Sequence, residues 1–269
     1  MKNFPLKDLH KDRKKRYILL AAAVVAVAVI MGSAFFHPVR KATKEVDTGL
    51  NYLTQMAGKS SADIESNIKN MQQERDRQRR IEAREKALAE GTVTVWELFD
   101  DYVFLGDSRV VGFSEFGFLE SGRIIAHSGD GVKNIADSLD TVQYYNPSLV
   151  FISYGANDLG NYASAEAYAD ALNEQIQGLK DAAPHAAFIV SSIMPVYSSR
   201  LSSISSNYDH VDTFNEALAQ MCSENGYTFV DNTQLAEEHR SEYEQDGIHF
   251  KSSFYEDWAL NLINGVDAN

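Results

Sequence analysis

Four short polar turns carry the residue types that acyl transfer needs: Gly106-Asp107-Ser108, Ser128-Gly129-Asp130, Gly155-Ala156-Asn157-Asp158 and Asp246-Gly247-Ile248-His249. A serine hydroxyl is a weak nucleophile near neutral pH, so an imidazole must take its proton. Asp246 stands three residues before His249 on one turn. That spacing lets the carboxylate bond one ring nitrogen and leaves the other to face Ser108. The tetrahedral intermediate of such a reaction needs donors for its oxyanion. The amides of Ser108 and Gly129 and the side-chain amide of Asn157 are donors of the right kind, and Gly129 has no side chain to block close approach. The chain has no Gly-x-Gly-x-x-Gly nucleotide loop, and no Gly-x-Ser-x-Gly elbow surrounds Ser108.

A Gly-Asp-Ser tripeptide alone is common in turns, so the elements must bring the four turns together. Apolar runs at Tyr102–Leu105, Arg123–Ala126, Ser148–Ser153, Ala187–Ser192 and Tyr227–Val230 read as five strands. Helical spacing follows in the Val132–Val142 segment, over 165–180 and 211–224, and again over Phe254–Ile263; the serine-rich stretch 198–206 reads as a loop. Strands alternating with helices predict one α/β domain with a five-stranded parallel sheet covered on both faces. Parallel connectivity puts the first three turns at one sheet edge, the usual place for chemistry in open α/β sheets. Ser108 would then open a helix, whose N-terminus favours developing negative charge.

In order and spacing, the four turns resemble the blocks of the SGNH (GDSL-type) hydrolase family, from roughly Tyr102 to the C-terminus. The resemblance implies a flavodoxin-like three-layer α/β/α fold and a Ser-His-Asp hydrolase without metal or cofactor. It also implies an oxyanion hole at Ser108, Gly129 and Asn157, with Ser108, Asp246 and His249 catalytic. Arg109 stands where many members have leucine. Two roles are open to it: binding a substrate carboxylate or phosphate, or pairing with a neighbouring Asp or Glu. Variants of this kind are similar to membrane-anchored or secreted bacterial members with cell-envelope roles. The expected activity is therefore an extracytoplasmic serine esterase removing acyl groups, such as O-acetyl, from an envelope carbohydrate. An acyltransferase or lipid esterase with the same site, and a non-catalytic binding module, are the alternatives.

Charge divides the chain. Residues 1–16 hold seven Lys and Arg against Asp8 and Asp12, whereas from Gly91 onward seven Lys and Arg face 27 Asp and Glu. So acidic a domain repels nucleic acid, whose binding depends on cationic phosphate contacts. Tyr17–Phe36 is a 20-residue run without charge, about 30 Å of helix, the thickness of a bilayer core. The basic flank predicts an uncleaved signal anchor with a cytoplasmic N-terminus. Residues 37–90 read as a helical stalk with a break near Gly58-Lys59-Ser60-Ser61, and 91–269 as the hydrolase-like domain. Val46, Leu50, Leu53, Ile64, Ile68 and Met71 leave open a coiled-coil homodimer or a solvated helix.

Several residues admit plainer roles. His127 beside Asp130 lacks metal-ligand spacing and reads as a turn histidine. The single cysteine, Cys222, reads as a core residue, and Asp107 and Asp158 as loop-capping residues. Tyr154, Tyr162, Tyr197 and Tyr208 fall near the expected mouth, either stacking on sugar rings or forming its rim.

Overall fold

In the first strand, β1 (Tyr102–Gly106), Val103 and Leu105 belong to one apolar cluster, Tyr102 and Phe104 to another, and all are buried. A strand buried on both faces requires a covering layer on each side. The computed structural model describes residues 51–52 and 61–267. In it β1 joins β2 (Ile124–Ala126), β3 (Leu149–Ser153), β4 (Ala187–Ser191) and β5 (Thr228–Val230) in a parallel sheet of order β2-β1-β3-β4-β5. The α-helices are α1 (Ser61–Ala89), α2 (Ser108–Glu115), α3 (Leu139–Tyr145), α4 (Ala165–Ala182), α5 (Ser199–Ile204), α6 (Val211–Asn225), α7 (Thr233–Glu238) and α8 (Phe254–Asp267).

One core packs Val103, Leu105, Val150 and Ile152 against Leu172 and Ile176 of α4 and Phe214 and Leu218 of α6. The other packs Phe104, Phe151 and Ile189 against Phe113 of α2 and Phe254, Trp258 and Leu262 of α8. Each large apolar side chain so enclosed contributes about 1.5–3 kcal/mol. The three-layer α/β/α fold matches the expectation from strand and helix alternation.

The order β2-β1-β3 reverses the direction of chain progress at β1. The loops after β2 and β3 therefore leave the same sheet edge on either side of the loop after β1. This crevice is where such sheets hold ligands.

Two local expectations change, and one short helix is added. The helix expected from Val132 starts as a 3-10 segment, Val132–Ser138, before α3 takes over. The serine-rich loop contains α5, where Leu201 is buried and Ile204 lies 3.6 Å from the position a Gly160 Cβ would take. The helix α7 has only Ala236 buried, too little apolar periodicity to announce it.

The chain divides into two units, 1–71 and 72–269. The anchor expected at 17–36 lies outside the described residues, and among those residues no helix is long and apolar enough to cross a membrane. Within the second unit, the last turns of α1 bind the globular part. Arg84 pairs with Asp267 and donates to Asn264 Oδ1 at 2.6 Å, and Leu88 packs against the α2/α8 core.

Replacing Arg84 with Ala leaves a half-shielded Asp267 without its partner. The expected loss is about 1–2 kcal/mol, read as a fall of roughly 2–8 °C in Tm. Calorimetric melting at the wild-type temperature would mean that Leu88 alone holds this end of α1.

Candidate active site

Asp107 opens the site. It caps α2 by accepting the Arg109 amide at 3.0 Å on Oδ1, and its Oδ2 accepts the Ala156 amide at 3.2 Å. Its own amide donates to Ser153 O at 3.2 Å. One buried carboxylate thus ties the turn after β1 to the turn after β3. Burial pushes its carboxyl above the usual range, while the Arg109 charge and the amides of Arg109 and Ala156 act against the rise. Ser108 follows as the first residue of α2, where the helix dipole favours negative charge.

His249 comes from far along the chain. Residues 243–250 form a tight hairpin closed by the Tyr243–Phe250 bridge, with the Glu244 amide donating to His249 O at 2.8 Å. Gly247 sits at its tip with φ +69°, and a Cβ there would lie 2.5 Å from Tyr197 O. Only glycine accepts both the left-handed backbone and that approach. Asp246 Oδ1 accepts the amides of Ile248 at 2.8 Å and His249 at 3.0 Å, and Oδ2 lies 2.6 Å from His249 Nδ1. Partial burial raises the Asp246 carboxyl, but the His249 ring bond and these two amides outweigh it and bring it down to about 2. An ionised carboxylate only accepts, so Nδ1 carries the ring proton. His249 Nε2 is then the acceptor, and it lies 2.8 Å from Ser108 Oγ.

The donors expected for an oxyanion stand on the flanking loops. Gly129, after β2, has φ +90° with open space where a Cβ would point, so its backbone conformation, not crowding, selects glycine. Asn157, after β3, donates one amide hydrogen to Asp130 O at 2.9 Å, which couples the two loops. Its amide has a second hydrogen to offer. Asp158 braces the same loop pair: Oδ1 accepts the Val132 amide at 3.0 Å, while Oδ2 is buried without a partner. Burial raises this carboxyl to about 6, with the nearby Asp107 adding to the rise and the Val132 amide opposing it.

The structure thus brings Ser108, His249 and Asp246 into one hydrogen-bonded chain and sets Gly129 and Asn157 on the loops beside it. It corrects both expectations for Arg109. The side chain is buried at 3% exposure and donates to three main-chain carbonyls, so it faces neither a substrate nor a carboxylate hydrogen-bond partner. Tyr154 and Tyr208 are also buried instead of lining a rim, and the Tyr208 hydroxyl donates to Ala156 O at 3.0 Å. Tyr197 remains 36% exposed. His127 Nδ1 lies 3.0 Å from Asp130 Oδ2, and among the described residues no three His, Cys, Asp or Glu side chains are grouped as a metal site requires. Asp107 and Asp158 take the loop-capping roles expected of them, but sequence reading missed which loops they join. The one available signal was that each follows a glycine-bearing strand end.

The family model for the GDSL-like lipase/acylhydrolase family matches residues 104–256, more than half of the chain. Among solved structures, a GDSL-like lipase from Bacteroides thetaiotaomicron is similar at 18% identity, covering 62% of this chain and 87% of that one, with a TM-score of 0.49. An acetylxylan esterase from Geobacillus stearothermophilus is similar at 15% identity, covering 61% and 93%, with a TM-score of 0.46. A carbohydrate esterase family 3 structure from Talaromyces cellulolyticus is similar at 17% identity, covering 62% and 94%, with a TM-score of 0.44. No curated protein matches the chain.

The raised pKa of Asp158 has a measurable consequence. The folded protein holds this proton up to about pH 6, against 3.8 for an ordinary aspartate. Its contribution to stability therefore declines as pH rises from 3.8 through about 6. Asp158→Asn removes the titration and keeps an acceptor for the Val132 amide. Relative to wild type, the variant should gain up to about 3 kcal/mol between pH 4 and pH 7. Denaturant melts that give a pH-independent difference would place Asp158 in contact with water.

Proposed function

The chain belongs to the GDSL-like lipase/acylhydrolase family, and from that premise we propose that it is a membrane-anchored, extracytoplasmic serine esterase removing small acyl groups, O-acetyl foremost, from a cell-envelope carbohydrate. The observation that carries this is the continuous relay from Asp246 Oδ2 through the His249 ring to Ser108 Oγ, with contacts of 2.6 and 2.8 Å.

In the acylation half, the Ser108 hydroxyl gives its proton to His249 Nε2 while its oxygen bonds to the ester carbonyl carbon. The displaced carbonyl electron pair becomes an oxyanion, received by the amides of Ser108 and Gly129 and by the second amide hydrogen of Asn157. As the carbonyl re-forms, the bond to the sugar oxygen breaks, and that oxygen takes the proton from His249. A water molecule then attacks the acyl-Ser108 ester, gives a proton to His249, and releases the carboxylic acid as Ser108 is reprotonated. Asp246 offsets the imidazolium charge in both halves.

Three features support the substrate class and setting. The His249 and Asp246 side chains are 40% and 45% exposed, so an ester on a bulky carbohydrate reaches Ser108 without entering the interior. Seven cations against 27 anions beyond Gly91 disfavour a polyanionic substrate. The basic segment followed by 20 uncharged residues fits a signal anchor that sets this domain outside the membrane.

Labelling with a serine-directed fluorophosphonate should mark the wild-type protein and vanish in Ser108→Ala. Asn157→Ala should lower kcat on p-nitrophenyl acetate by about 10²-fold or more with little change in KM. Acetate should be preferred over long acyl esters. Folded protein that takes no label would favour a binding module, and a preference for long chains would favour a lipid esterase.

A further inference from the structure

Arg109 is the residue after the nucleophile, and nothing in the acyl-transfer steps uses it. Its guanidinium is buried and directed at three carbonyls: Nε donates to Ile248 O at 2.8 Å, Nη1 to Met194 O at 2.9 Å and Nη2 to Pro195 O at 3.0 Å. Its carbon lies 5.4 Å from the centroid of the Phe250 ring. Its backbone is held as well, since its amide donates to Asp107 Oδ1 at 3.0 Å and its carbonyl accepts from the Tyr255 hydroxyl at 2.7 Å. A fixed backbone with a three-way fork makes a rigid strut. Lysine cannot replace it, because an ammonium has no planar fork to serve three acceptors lying in different directions.

The carbonyls it grips explain what the strut holds. Ile248 immediately precedes His249. Met194 and Pro195 belong to the segment leaving β4, which also meets the hairpin where the Tyr197 amide donates to Gly247 O at 2.7 Å. Asp246 lies on the same hairpin as His249. It orients the ring within the hairpin, yet it cannot fix the hairpin's distance from α2. Arg109 Nε, by contrast, reaches from the first turn of α2 to the main chain beside the imidazole.

We infer that Arg109 is a positioning residue that sets the register between Ser108 and His249 by clamping the Ile248 carbonyl to the nucleophile's helix. The effect on rate rests on the esterase reading above; the effect on imidazole placement does not. A displacement of about 1 Å at a reacting pair is enough to cost about 10²-fold in rate.

The test compares Arg109→Lys, Arg109→Gln and Tyr243→Phe in the full chain. Tyr243 is a suitable control because its hydroxyl donates to Pro195 O at 2.8 Å, one of the Arg109 acceptors, without touching Ile248. Each variant is measured at a fixed interval below its own Tm. Two readouts are taken: the 15N NMR signal of His249 Nε2 at the position set by its hydrogen bond from Ser108 Oγ, assigned by its absence in His249→Gln, and kcat and KM on p-nitrophenyl acetate. Both Arg109 variants should shift or broaden the signal and drop kcat by about 10²-fold, with KM within a few-fold of wild type. Tyr243→Phe should lower Tm while keeping the signal and kcat. The inference is overturned if Arg109→Lys keeps both readouts, if Tyr243→Phe loses kcat as severely, or if neither Arg109 variant folds, since the fork would then hold the fold and not the imidazole. Inactive wild-type protein whose signal still shifts in Arg109→Lys would remove the esterase reading and leave the clamp standing.

Discussion

The hydrogen bond from Ser108 Oγ to His249 Nε2 joins residues 141 positions apart in the chain. No local preference can make that contact, so the whole domain has to deliver it. The parallel sheet performs half the task by placing Ser108 at the carboxyl edge of β1, between the loops after β2 and β3. The hairpin at 243–250 performs the other half, carrying His249 and Asp246 together as a preassembled pair. Rigid elements on both sides matter because an imidazole that wanders cannot take a proton on demand.

Around this bond the loops are held by buried carboxylates and carbonyls, not by apolar packing alone. Asp107 ties the nucleophile turn to the Asn157 turn, and Asp158 ties that turn to the one after β2. Burying carboxylates is costly, and both show it as a raised proton affinity. The gain is loop geometry: main-chain donors that would otherwise lack partners inside the domain are satisfied, and the candidate oxyanion donors are set on braced segments. Such sites commonly hold more strain and more buried polarity than the rest of a fold.

Much of this could be read in the residues themselves. The unbroken apolar run Tyr102–Leu105 and the three glycine-bearing strand ends announce the sheet and its active edge. The Asp246–His249 spacing is a local fact, and the structure keeps it as one hairpin. What could not be read was non-local. The carbonyls that Arg109 grips are 85, 86 and 139 positions away and belong to no side chain, so its residue type suggested a ligand or a carboxylate instead. Tyr154 and Tyr208 looked like rim residues because loops usually lie on surfaces, yet both are buried in the same apolar cluster, and the Tyr208 hydroxyl reaches back from the 206–209 turn to the Ala156 carbonyl. The short helices α5 and α7 each depend on one or two buried apolar residues, too few to set a period.

The central claim is that Ser108, primed by His249, takes the acyl group onto its own oxygen. The most direct measurement is acid quenching of the full-length protein during turnover of p-nitrophenyl acetate, followed by peptide mass mapping. The account predicts an acetyl group on the peptide containing Ser108, accumulating in wild type and absent from His249→Ala. Turnover that proceeds with no acyl group on Ser108, or with the group on another residue, would contradict it.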